Sequence, residues 1–167
     1  MRDRVFGHRS VGVDAMRKSI FACTFLALSA SLPAVAQEAI IVQADSLQWK
    51  AGPLALPNGA QFAAVVGDPT KDGPYVLRVK LPAGFKIAPH YHPNDENLTV
   101  ISGTFNLGTG ETFDEGKAQP IKAGGYAHIP KTQKHFGWAS ADTIFQLHSI
   151  GPSTFNYINP ADDPRKK

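Results

Sequence analysis

The chain is poor in cysteine: Cys23 is the only one among 167 residues. It lies in an N-terminal stretch that reads as a removable leader, so the mature protein is expected to hold none. That excludes both a disulfide framework and a thiolate metal site. A run long enough to cross a membrane is missing too, because the apolar stretch Ile20 to Leu32 is too short to span a bilayer comfortably. Arg17 and Lys18 precede it, and Pro33-Ala34-Val35-Ala36 closes it with the small-x-small pattern of a signal peptidase site. Cleavage after Ala36 and a periplasmic or secreted location are therefore expected. Met16 fits a translation start just ahead of this cassette, and Phe21, two residues before Cys23, argues against a lipoprotein anchor. No stable membrane anchor is expected once the leader is gone.

Net charge is also lacking in the mature chain. The leader holds five of the 17 Lys and Arg and two of the 14 Asp and Glu, which leaves 12 of each sign. The formal charge of +3 on the full chain is thus no argument for nucleic acid or an anionic membrane as a partner. After the leader there is no sustained apolar period of 3.6 residues, no internal repeat and no low-complexity run. What stands there instead is 15 Gly and 13 Pro, only 19% charged residues, and short β-rich runs. Tyr75 to Leu81, Leu98 to Ser102 and Thr143 to Ile150 recur between Gly, Pro and Asp punctuation. Length and pattern predict one all-β domain. Its expected organisation is a leader over 1–36, N-terminal arm strands over 37–59, a barrel over 60–158 and a solvated tail over 159–167.

The histidines carry the chemistry. His90 and His92 stand two apart on a predicted strand and so project to one face. Glu96, in step with them, is expected to begin the next strand, and His135 to reach the same cavity from a distant strand, as barrels and jelly rolls allow. Three imidazoles and a carboxylate suit one metal ion. Gly84-x5-His90-x-His92-x3-Glu96-x6-Gly103 meets every term of a motif, Gly-x5-His-x-His-x3/4-Glu-x6-Gly, in which the chain resembles the cupins. The second cupin motif, Gly-x5-Pro-x-Gly-x2-His-x3-Asn, is met at Gly124, Pro130 and His135 and lost at Thr132 and Ala139. Thr132 in place of glycine predicts a differently shaped turn. The resemblance covers residues 60 to 155 and implies a cupin-type double-stranded β-helix, or jelly-roll barrel, and a homodimer.

Nitrogen and carboxylate donors without sulfur suit one divalent transition metal ion, Fe, Mn, Ni, Cu, Co or Zn, over Ca or Mg. His90, His92, Glu96 and His135 are the predicted ligands. Gln146 and His148 share a face of the run Thr143 to Ile150 and are candidate pocket groups, with His128 a further one beside Pro130. Glu96, if it leaves the metal, and His148 are the candidate catalytic bases. Phe136 and Trp138 should face away from the ligands, against a second sheet or a partner subunit. Asp95, out of step with Glu96, reads as a loop carboxylate, and Gly108 with Gly110 as a hairpin turn. Asn97-Leu98-Thr99 fits the glycosylation pattern by chance.

The resemblance implies a metal site used by dioxygenases, oxalate-degrading enzymes, isomerases and non-catalytic sensors alike, so it stops short of a reaction. The expected function is a metal-dependent enzyme, dioxygenase- or isomerase-like, acting on a small oxygenated organic molecule. The alternatives are a non-catalytic binding or sensing module and a metal-stiffened structural oligomer.

Overall fold

In the computed structural model residues 38–167 are described. The leader, its cleavage point at Ala36, Met16 and Cys23 lie outside them. The described strands are β1 (Lys50–Ala51), β2 (Gln61–Val66), β3 (Gly73–Leu81), β4 (Lys86–Tyr91), β5 (Glu96–Ser102) and β6 (Thr104–Thr109). They continue as β7 (Gln119–Lys122), β8 (Tyr126–Ile129), β9 (His135–Ala139), β10 (Thr143–Gly151) and β11 (Asn156–Tyr157). One antiparallel sheet runs β1-β2-β3-β10-β5-β8 and the other β11-β4-β9-β6-β7. From β3 to β11 consecutive strands alternate between the two sheets, except at the β6–β7 hairpin, and that is the double-stranded β-helix.

Strand alternation builds the core. On β3, Tyr75, Leu77, Val79 and Leu81 are buried while Val76, Arg78 and Lys80 between them are half-buried. Val100 of β5, Phe105 of β6 and Phe145 of β10 pack against that row. Gly103 shows why the turn from β5 to β6 needs glycine: its φ is 78°, and a Cβ there would overlap the Asp142 carbonyl.

A bulge aims the first candidate ligand. β4 and β9 pair Ile87 with Gly137 and then His90 with His135, three steps along β4 against two along β9. The extra residue falls at Ala88–Pro89, where proline has no N–H to give the ladder. Ile87 and His90 therefore both face inward although they are three residues apart.

Several expectations are corrected by the packing. Phe136 is fully buried on the outer face of its sheet, but the chain's own Phe113 covers it and Trp138, with ring centroids 5.0 and 5.6 Å away. Neither a second sheet nor a partner is needed there. Gly108 is inside β6, opposite Phe136, and not in a hairpin turn. Of the arm 38–59, only Lys50–Ala51 is strand, paired with β2. The tail is exposed at most positions, as expected, but it is anchored: Asp163 is buried, its carboxylate accepts from Arg165 Nε at 2.7 Å, and Arg165 Nη2 donates to the Phe155 carbonyl at 3.0 Å. Thr132 keeps the left-handed turn conformation that glycine would take, with φ 63°, so the turn has not been reshaped.

Candidate metal centre

His90 near the end of β4, His92 just beyond it and His135 at the start of β9 come from one sheet, and Glu96 at the start of β5 comes from the other. The three imidazoles are 3%, 8% and 3% exposed in chain order. His90 and His135 are direct cross-strand partners with ring centroids 4.2 Å apart; His92 lies 4.9 Å from His90 and 5.3 Å from His135. One nitrogen from each ring falls within 4.8 Å of the others. Glu96 Oε2 approaches His135 Nε2 at 3.5 Å and His92 Nε2 at 3.7 Å.

The other ring nitrogens fix the proton positions. His90 Nδ1 lies 2.8 Å from the Ala88 carbonyl, His92 Nδ1 2.6 Å from that of Thr154, and His135 Nδ1 2.9 Å from that of Gln133. A carbonyl only accepts, so each Nδ1 carries the proton and donates, leaving the lone pair on Nε2. His92 Nε2 is buried and has no hydrogen-bond partner. A buried polar atom without a partner is costly, and three Nε2 lone pairs converging beside a carboxylate are what a metal ion requires of its ligands. The residues fit the group.

The electrostatics agree. Burial, with the neighbouring His135 and His92, holds the His90 imidazole well below the usual histidine range, so it is neutral and able to ligate. Burial pushes the Glu96 carboxyl up, but without a metal a protonated His135, donating through Nε2, and the positive charge that His92 and His90 can carry outweigh it and hold it at about 2. It is a carboxylate at neutral pH.

The structure does not bring Gln146, His148 or His128 to this point. On β10 the inward residues are Thr143, Phe145 and Leu147; Gln146 and His148 are on the opposite face, where they contact one another. His128 is exposed on β8 and its Nδ1 lies 2.9 Å from Asn97 Oδ1, the side chain that also accepts from the Tyr126 hydroxyl. The candidate base His148 is thus withdrawn from the pocket, and Asn97 is tied into a sheet surface. Asp95 holds the loop after His92 by accepting from the Lys131 N–H at 2.7 Å.

Two cavity residues were missed. Tyr75 faces inward on β3 beside Glu96, readable from its alternation with Leu77 and Val79. Phe155 stacks on His90 at 5.1 Å and meets His92 edge-on at 4.7 Å, from an irregular segment that no strand period could have flagged. Apart from Ser153, the remaining cavity wall is apolar, including Leu77, Ile87, Leu98, Phe145 and Leu147.

Residues 37–154 match the ChrR cupin-like domain. Among solved structures, a candidate acetylacetone dioxygenase from Methylibium petroleiphilum is similar at 20% identity, with a TM-score of 0.60 over 80% of this chain and 89% of that one. The acetylacetone dioxygenase of Acinetobacter johnsonii is similar at 15% identity and TM-score 0.58, over 79% and 85% of the two chains. The polyketide cyclase RemF of Streptomyces resistomycificus is similar at 16% identity and TM-score 0.60, over 75% and 89%. At such identities the likeness is one of fold. No functionally curated protein matches the sequence.

Proposed function

This chain belongs to the ChrR cupin-like family of the cupin superfamily, and on that premise we propose that it is a metal-dependent enzyme acting on a small oxygenated organic molecule. His90, His92, His135 and Glu96 hold one divalent transition metal ion. The observation that carries this reading is the buried, unpartnered His92 Nε2 set among three imidazoles whose Nδ1 protons are all committed to carbonyls. Bound there, the metal would supply Lewis acidity toward a carbonyl or enolate oxygen, or a place for dioxygen beside the substrate. The chain's own residues orient the rings, keep a carboxylate charge at Glu96, and exclude bulk water with an apolar wall. The dioxygenase names among its structural neighbours support the oxygen-dependent version of this chemistry.

A second reading, a binding or sensing module, is favoured by one observation. Apart from the four ligands, the only titratable group on the described cavity wall is Tyr75, whose phenol is pushed up by burial and stays protonated. Export with cleavage after Ala36, and a homodimer, complete the proposal. They are checked by N-terminal sequencing from the native host and by light scattering.

The test is metal analysis of residues 37–167 purified without chelator or affinity metal. Stoichiometric transition metal is expected, with loss of it in His90→Ala and a retained far-ultraviolet dichroism. Wild-type protein that takes up no metal on reconstitution, or a His90→Ala protein that still binds it stoichiometrically, overturns the ligand assignment. Oxygen consumption or product formation then separates enzyme from binder.

A further inference from the structure

The chamber at the metal cluster is only about 50 Å³. At about 10–15 Å³ per water, that holds roughly three or four waters or a head group of a few atoms, and it falls short of the roughly 150 Å³ cavity that takes benzene in a protein. A much larger groove of about 680 Å³ adjoins it. Phe62, Leu77, Ser153 and Phe155 line both spaces, so the groove and the chamber meet across these four side chains. The groove's size falls within the ~300–1,000 Å³ of ordinary small-molecule sites.

The far wall of the groove explains an otherwise odd arm. Ile40, Ile41 and Val42 are 59%, 82% and 39% exposed, in a segment with no strand partner. Val42 and Leu47 of that arm form part of the groove wall. Of the three charged side chains on its wall, Arg165 is held by Asp163, Asp68 accepts from Thr70 and lies 3.3 Å from Lys71 Nζ, and Lys50 remains as a cation at the rim. What the groove offers a ligand is chiefly apolar contact.

Phe155 stands between the two spaces with its backbone tied on every side. The Ser153 N–H donates to the Pro69 carbonyl at 2.7 Å, the Thr154 carbonyl accepts from His92, and the Phe155 carbonyl accepts from Arg165. The ring can turn about its side-chain bonds while the segment stays in place.

We infer that this outer groove is the substrate-binding site for an apolar body whose oxygenated head passes Phe155 to the metal cluster. The ligand class is an amphipathic molecule with a chelating oxygen head and a hydrocarbon or aromatic body. The inference rests on the proposed metal site. Its occupant is the body of the same molecule because groove and chamber share Phe62, Leu77, Ser153 and Phe155 as a common wall, with the Phe155 ring as the side chain to be turned; a peptide or a membrane surface has no head small enough for the chamber.

The probes are acetohydroxamate, hexanohydroxamate and octanohydroxamate, which share one chelating head, titrated by calorimetry into the metal-reconstituted mature chain. Affinity should rise about threefold or more per added methylene, as for an apolar group leaving water. Val42→Asp and Ala64→Trp, at exposed positions on the groove wall, should each cut octanohydroxamate affinity at least tenfold and leave acetohydroxamate affinity and metal content unchanged. Val42 lies in an irregular exposed arm, so its variant keeps the test intact if Ala64→Trp fails to fold. Affinity independent of chain length, or a length dependence that Val42→Asp leaves in place, overturns the groove assignment alone. Failure to take up metal, or to bind even acetohydroxamate, overturns the proposed function and this inference with it.

Discussion

Thr132 holds φ at 63° in the turn that leads into His135, and its N–H donates to the His92 carbonyl at 2.8 Å. A β-branched residue in the left-handed region is strained by about 1–2 kcal/mol. Glycine relieves that strain but gives back about 0.5–1 kcal/mol of chain entropy. Thr132→Gly is therefore expected to stabilise the protein by about 0.5–1 kcal/mol, read as a higher urea midpoint at unchanged slope; a lower midpoint sinks the strain argument. Gly108 is the opposite case. A Cβ there would overlap the Phe136 ring, which Phe113 seals from above. Gly108→Ala should cost about 1–3 kcal/mol as overpacking, and an unchanged unfolding midpoint would show that the aromatic lid yields freely.

At the scale of elements, the tail behaves as a strap on the segment that bears Phe155. The hydrogen bond from the Arg165 side chain, against a smaller opposing effect of burial, holds the Asp163 carboxyl below its ordinary value. A depressed folded value contributes stability above the unfolded pKa near 3.8 that is lost as pH falls through the folded one. Amide resonances of Asp163, Arg165 and Lys166 should therefore shift together below pH 3.8, and Asp163→Asn should abolish that transition; a wild-type tail unchanged down to acid unfolding would count against the strap. Nothing in the sequence marked this tail as anchored, because prolines and charges read as solvent-loving until Asp163 and Arg165 find one another. The candidate cluster was legible for the converse reason: His90, His92, Glu96 and His135 have a spacing that chance seldom gives. Parity could not tell which face of β10 looks inward, so Gln146 and His148 were set in a pocket that Phe145 and Leu147 line. Nor could it foresee the bulge at Ala88–Pro89, which resets the alternation of β4.

For the whole molecule, the decisive point is that the cluster spans both sheets. His90, His92 and His135 belong to the β4–β9 side, and Glu96 to β5 in the opposing sheet. A metal held by all four is a cross-link across the barrel as well as a reaction centre. Binding to the folded chain alone raises stability by RT ln(1 + [M]/Kd), about 2.7 kcal/mol at roughly 100 times Kd. Each kcal/mol moves the melting point of a domain this size by a few degrees. Metal-loaded protein should therefore melt several degrees above chelator-treated protein, and the gap should close with His135→Ala. Glu96→Gln separates the cross-link from the three-histidine site, since it keeps every ligand from one sheet and removes the one from the other. Its metal-dependent rise should be smaller than that of the wild type while its apo melting point moves less. An equal rise in both proteins would mean that the histidines alone hold the ion, leaving Glu96, the only carboxylate on the described cavity wall, free as the candidate base.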